Sequence, residues 1–297
     1  MKKLHTCLFA LLVVVLSACI DHRTQDLTLG SATARLRVSS ITQPISGGIS
    51  KISRFTYDGQ NRLQRMTTYQ SPDSSIAEVE QTTYQYDGQN RLTQVRQEAT
   101  LYPRGSQPNR VAQYTYGYNA AGQVTSIAYA NGYTIAPVYS ASGVLQSARR
   151  FFATGGLTIN GGDTFTFTGA NLTNYTVSYT VAGHGGPAGP PSSLTRAYTY
   201  DTNTNPFYGT TVIPAPYPNG YVNLASAPGS VVTYFGGVDN VLNLSPANVL
   251  TETASTGETN TYQYQYNPAG LPTMRTRTTT SSGTNSTQTL QFSYETY

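Results

Sequence analysis

The sequence predicts an all-β protein: an antiparallel meander of β-hairpins forming a curved sheet, half closed into a barrel-like shape. Three observations carry this. The string Tyr-Asp-Gly-Gln-Asn-Arg-Leu stands at Tyr57–Leu63 and recurs unchanged at Tyr86–Leu92, with looser copies opening at Tyr118, Tyr139 and Tyr266. Around the copies the chain alternates, as in Tyr84/Tyr86, Tyr114/Tyr116/Tyr118 and Tyr262/Tyr264/Tyr266, and a period of two places one set of side chains on one face of a strand. No long amphipathic helical pattern is present.

In chain order, Met1-Lys2-Lys3 is a basic head and Leu8–Leu16 an apolar run too short to span a bilayer, so residues 1–18 read as a signal peptide. The run ends in Leu16-Ser17-Ala18-Cys19, which resembles the lipobox of bacterial lipoproteins. The resemblance implies a lipidated Cys19 that anchors the protein to a membrane without spanning it. The other cysteine, Cys7, lies within the leader, leaving no pair to form a disulfide. Residues 19–48 read as a polar tether with one strand over Ala34–Ser39, and residues 49–297 as a single domain.

Each repeat opens with tyrosine, and the fifth position holds Asn61, Asn90, Gly122, Gly143 or Gly270. Asparagine and glycine tolerate a left-handed backbone, and Asp58, Asp87, Asn119, Ser140 and Asn267 at the second position can bond back to the chain. Together they specify a hairpin on a type I turn closed by a left-handed residue. Tyr57 lies across that turn from Arg62, and Tyr86 from Arg91, so each guanidinium is expected over the ring of its own repeat. The first four landmark tyrosines are 29, 32 and 21 residues apart, which gives about eight strands between Ile49 and Phe152. Return loops are expected at Ser71-Pro72-Asp73 and Tyr102–Gly105.

Thr164–Thr168 and Tyr175–Tyr179 continue the alternation. Irregular inserts fall near 183–193, which is rich in glycine and proline, and 205–249, which is broken by Pro214–Pro218 and carries a short helical turn at Tyr221–Ala227. Tyr198-Thr199-Tyr200-Asp201 opens like a repeat and then runs into Asn205-Pro206-Phe207. Strands follow over Thr259–Tyr266, Pro272–Thr280 and Gln288–Thr296.

The hairpin units look like YD repeats of the Rhs type. Five copies are too few to enclose a cargo, so the encapsulating role of large members is not implied. The lipobox, the repeats, Asn205-Pro206-Phe207, Ser245–Val249 and the closing unit at Tyr266 together resemble uncharacterised Bacteroidetes-type lipoproteins. That resemblance implies a curved antiparallel sheet in the cell envelope, most naturally at the outer membrane, and lends no activity.

The formal charge of +4 falls to +2 without Lys2 and Lys3, and the arginines are scattered, so no nucleic-acid stripe is present. His22 and His184 lack partners at ligand spacing, which argues against a metal; no cofactor motif is found. A glycan hydrolase would need two converging carboxylates, with Asp58, Asp87, Asp201, Glu78, Glu80, Asp163, Asp239, Glu252 and Glu258 as candidates. The 24 tyrosines suggest a non-catalytic binding module, with stacking on polysaccharide favoured and an envelope protein partner as the alternative. A transmembrane barrel is disfavoured by Ser293 and Glu295 in the last strand and by the missing outward apolar band.

Overall fold

The computed structural model describes residues 35–73, 79–100, 105, 110–130, 132–183, 185–209, 234–235, 238–239 and 241–297. Cys19, His22, His184, Glu78 and the Tyr221–Ala227 segment lie outside the described residues.

The chain runs β1 (Leu36–Pro44), β2 (Ser50–Tyr57), β3 (Leu63–Ser71), β4 (Val79–Tyr86), β5 (Leu92–Thr100), β6 (Arg110–Tyr118), β7 (Val124–Tyr129), β8 (Thr134–Tyr139) and β9 (Leu145–Thr154). It continues with β10 (Leu157–Thr168), β11 (Asn171–Gly183), β12 (Ser192–Thr204), the small pair β13 (Tyr234–Phe235) and β14 (Val238–Asp239), a 3-10 turn at Leu242–Leu244, β15 (Ala247–Ala254), β16 (Thr259–Tyr266), β17 (Pro272–Ser281) and β18 (Thr284–Thr296). The eight strands expected between Ile49 and Phe152 are β2 to β9.

All except β13 and β14 form one closed antiparallel barrel, so the half-closed expectation is corrected. The strand that closes it is β1, which pairs with β2 on one side and β18 on the other. The sequence reading stopped this strand at Ser39 and left it in the tether. Ser39 is instead a bulge between Val38 and Ser40, past which pairing continues to Pro44. A bulge breaks the alternation by one residue, which hides the second half of the strand from a period-two reading.

Much of the inner face of the barrel wall is apolar, with Ser53, Thr68, Thr82, Gln97 and the Arg150–Asp163 pair as its buried polar part, and the outer face is mainly polar. Val95, Ile127, Tyr133, Ile135 and Leu172 have no exposed surface, and Tyr114, Tyr175, Leu290 and Ile41 are almost as fully buried. These inner residues pack into two apolar clusters. Burying each such aliphatic side chain stabilises the fold by about 1.5–3 kcal/mol. Outer positions form lateral polar rows: Thr199, Thr251, Thr261, Thr278 and Thr287 are successive partners across β12, β15, β16, β17 and β18. Another row runs Thr56, Arg65, Thr83, Arg96 and Gln113 across β2 to β6. Threonine suits such positions because its branched carbon favours extended backbone while its hydroxyl stays in water.

Because consecutive strands are antiparallel, their connections alternate between two rims. The five repeat turns, the short turn between β10 and β11 and the long connection from β12 to β15 share one rim, here the turn rim. It also holds the start of β1 and the end of β18, where Leu36 pairs with Thr296. The opposite rim carries, among others, the loop from Gly183 to Ser192.

Candidate functional site

The repeat turns form as their residue types require. Asn61 and Asn90 both have φ of 64°, and Gly122, Gly143 and Gly270 lie between 73° and 83°. In the first copy the Asp58 amide donates to the Arg62 carbonyl at 2.9 Å and the Asn61 amide to the Asp58 carbonyl at 3.0 Å. Asp58 Oδ1 accepts the amides of Gln60 and Arg62 at 2.9 and 3.0 Å. Burial works against ionisation of Asp58, but these bonds and the Arg62 side chain outweigh it and hold the carboxyl below its ordinary range. Asp87, with Arg91 and Gln89, repeats the arrangement. At every repeat tyrosine the pairing slips by one residue, so Tyr57 faces Leu63 whereas Thr56 faces Arg65.

Each arginine stacks on the next repeat and not on its own. Arg62 sits 4.4 Å from the Tyr86 ring centre, Arg91 4.8 Å from Tyr118, and Arg37 4.0 Å from Tyr57. The expected Tyr57–Arg62 and Tyr86–Arg91 contacts are thereby corrected. The cause is the aspartate: Arg62 Nε donates to Asp58 Oδ2 at 2.7 Å, and its Nη1 reaches Asn90 Oδ1 at 2.7 Å. The guanidinium is thus held along the rim, over its neighbour's ring.

The tyrosine hydroxyls point back the other way. Tyr57 Oη donates to the Val38 carbonyl at 2.6 Å, Tyr86 to Leu63 at 2.8 Å, and Tyr118 to Leu92 at 2.6 Å. Tyr139 bonds the Val124 backbone, Tyr264 donates to Val249 at 3.0 Å, Tyr294 to Pro272 at 2.7 Å, and Tyr200 to Leu172. Each bond ties the end of one strand to the start of the strand before it. These are the seams that no turn covers at this rim, so the tyrosines act as latches between hairpins. At the seam between β9 and β10 the corresponding residue is Phe167, which has no hydroxyl to give. Burial raises the Tyr118 and Tyr139 hydroxyls to about 12.

One further turn of the same kind is present that sequence reasoning left incomplete, and the two-residue turn between β10 and β11 shares its slip in pairing but not its length. Phe167 faces Leu172 with the same slip, Thr166 pairing with Asn174. Tyr200 faces Val249 while Thr199 faces Thr251. In this second case Asp201 Oδ1 accepts the Asn203 amide at 3.0 Å and then the Asn248 amide, also at 3.0 Å, 47 residues on. Residues 204–247 are therefore an insertion inside a repeat turn. Its described part folds back into the barrel mouth. Asn205 Nδ2 donates to the carbonyls of Leu242 and Ser245 at 2.9 and 3.0 Å. Phe207 packs against Phe55 and Phe292, with ring centres 5.8 and 6.3 Å away. Ser245 Oγ accepts the Leu172 amide at 2.9 Å. Beside this plug is a cavity of about 30 Å³ bordered by Asn205, Phe207, Asn248, Tyr264, Arg275 and Phe292. It has room for water but not for a sugar ring, since one water occupies about 10–15 Å³ on this measure.

Deeper in the barrel, Arg150 Nε meets Asp163 Oδ2 at 2.5 Å, with both side chains essentially inaccessible. Arg150 Nη1 donates to Tyr133 Oη and Tyr175 Oη to Asp163 Oδ1, both at 2.7 Å. Gly161 pairs opposite Arg150, and its missing side chain lets the β11 backbone come close, since a Cβ there would lie 2.9 Å from the Ser178 carbonyl.

The carboxylates proposed for hydrolysis are mostly engaged in these contacts. Asp58, Asp87 and Asp201 hold turns, Asp163 pairs with Arg150, and Glu80 lies 3.3 Å from Lys51. Glu252 and Glu258 do converge, both on Arg196 Nη1. Glu252 Oε2, however, also accepts Tyr262 Oη at 3.0 Å and Asn260 Nδ2 at 3.2 Å, and the cavity described above lies elsewhere. None of the described tyrosines is exposed. The co-planar tyrosine platform expected of a sugar-stacking face is thus absent among the described residues. They also contain no cluster of three or more metal-ligating side chains.

No protein-family model and no curated protein matches the chain. Among solved structures it is similar to a porin-like protein from Bacteroides uniformis, with 14% identity over 87% of this chain and 98% of that one and a TM-score of 0.49. A porin-like protein from Bacteroides vulgatus gives 14% identity over 88% and 99%, with a TM-score of 0.37. The TcdB2-TccC3-TEV structure gives 15% identity over 82% of this chain and 14% of that one, with a TM-score of 0.27. Likenesses this distant carry no argument about function.

Proposed function

We propose that this chain is a lipid-anchored protein of the bacterial cell envelope whose water-facing barrel serves as a non-catalytic interaction module for an envelope protein partner. The observation that carries the reading is the polarity of the wall. A bilayer-spanning barrel presents an apolar band outward and polar residues inward. This one buries tyrosine, leucine and isoleucine inside, together with a smaller polar set at Ser53, Thr68, Thr82, Gln97, Arg150 and Asp163, and shows mainly threonine, glutamine and arginine outside, with Val111, Val138, Phe151 and Leu250 as exposed apolar exceptions. Such a wall belongs in water, so membrane attachment falls to the lipobox-like Leu16–Cys19. A protein partner is favoured over a polysaccharide because most of the described tyrosines are taken up by core and latches and none is exposed. The closed wall also leaves no free strand edge, so a partner would meet loops or isolated exposed side chains such as Val111, Val138 and Phe151.

A form starting after Cys19 should remain soluble without detergent, and a detergent requirement would contradict the wall argument. The same form, run through gels containing plant, host and bacterial polysaccharides, should migrate unretarded, whereas cross-linking in the native envelope should trap a protein. Retardation by a polysaccharide that survives added salt would replace the protein partner with a glycan.

A further inference from the structure

We infer that the turn rim is the membrane-facing end of the barrel, lying against lipid headgroups, and that the rim carrying the Gly183–Ser192 loop points away from the membrane. This rests on the lipid-anchor reading above. The last described residues before the anchor segment are fixed in the turn rim. Leu36 pairs with Thr296, the Tyr297 amide donates to the Arg35 carbonyl at 3.0 Å, and Arg37 Nη1 donates to Asn61 Oδ1 of the first repeat turn at 3.1 Å.

Residues 20–34 separate Cys19 from that point. Any chain of this length reaches at most ~55 Å when fully stretched, and an unstructured one has a mean span of ~20 Å. The nine-residue strands β1 and β3 are each ~30 Å long. Placing the opposite rim on the membrane would require the connection to run back along the whole wall, farther than that mean span. The shorter path leaves the turn rim down.

The chemistry of that rim suits a headgroup layer. Most of its charges are paired, Asp58 with Arg62, Asp87 with Arg91 and Arg37 with Glu295, while Asp201 is held by neutral donors. The turn tips present Gln60, Gln89, Ala121, Ser142 and Ala269, which are neutral. Such a surface forms hydrogen bonds without requiring anionic lipid, so vesicles of phosphatidylcholine alone should suffice. The inference moves the site of partner contact away from the described part of the Asn205–Val249 insert, which is seated in the turn rim, and toward the exposed Gly185–Pro191 stretch of the other rim.

The test uses the full lipid-anchored chain in phosphatidylcholine vesicles that contain a headgroup spin-labelled lipid. Single fluorophores are placed at Ala121→Cys on the turn rim or Ala188→Cys on the opposite rim. Flotation with the vesicles, lost in Cys19→Ser, checks the anchor separately. The probe at position 121 should be quenched several-fold more than the probe at 188. Equal quenching, or stronger quenching at 188, in a chain that floats would overturn the orientation and leave the anchor standing. Failure of the unaltered chain to float would overturn both.

Discussion

Asp58 and Asp201 perform the same task in two settings. Both follow a tyrosine, both accept the amide two residues on, and both accept a second amide from the start of the returning strand. At Asp58 the second donor is Arg62, four residues away; at Asp201 it is Asn248, 47 residues away. A short turn can close with little help, because few residues must be ordered to bring its ends together. A long insertion gives no such local advantage, and closure then depends on what the aspartate holds. The outer oxygens differ accordingly: Asp58 Oδ2 holds the Arg62 side chain of its own turn, whereas Asp201 Oδ2 takes Asn248 Nδ2 and Tyr266 Oη from two other segments. The same device is a convenience in one turn and a clamp in the other.

The largest expected effect tests that clamp. Asp201→Ala should cost roughly 2–3 kcal/mol, since several part-buried donors lose one acceptor, whereas Asp58→Ala should cost about 1 kcal/mol. Urea unfolding of the two variants side by side measures the difference; equal losses would mean the insert is held by other contacts. Next, Asn61→Val should cost ~1–2 kcal/mol by forcing a β-branched residue into the left-handed region, while Asn61→Gly should be close to neutral. Equal melting temperatures for these two would contradict the observed turn.

A latch is worth less. Tyr86→Phe removes one hydroxyl at a rim where water can reach the freed carbonyl, so about 0.5–1.5 kcal/mol is expected from thermal melts. Phe167, at the one of the eight seams without a latch, is the natural control: Phe167→Tyr should not destabilise if that seam resembles its neighbours. The smallest effect is the acid response of Asp58, whose pKa is lowered in the folded state from 3.8. Its contribution is fully present above the unfolded value and is lost as pH falls through the folded one. Replacing Asp58 with Asn should flatten only the part of the stability profile below about pH 4.

Much of this architecture could be read from the sequence because the turns state their own geometry. Asn61, Asn90, Gly122, Gly143 and Gly270 each mark a left-handed position, and β16 occupies the expected Thr259–Tyr266 without change. What escaped detection depended on contacts distant in sequence. The closing strand β1 is recognisable only through its pairing with β18, more than 250 residues later. The stacking partner of Arg62 is Tyr86 because Asp58 turns the guanidinium aside, and no spacing rule encodes that competition. The tyrosines pointed to a binding face because alternation says which residues share a side but not whether that side is wet. The Asn248–Val249 ending of the split turn lacks the opening Tyr-Asp pair that would have marked it.

The latches carry a further consequence for how such a molecule could change over time. Each latched hairpin grips only the strand before it and the turn after it, so no latch records how many hairpins the ring contains, and only the Phe207 contacts across the mouth depend on its width. Circumference is then a matter of copy number. Gain or loss of a unit adds or removes two strands together, which keeps the strand count even and both ends of the described wall on the same rim. A lineage could widen or narrow this protein by duplication or deletion of whole units without moving the side from which its anchor departs.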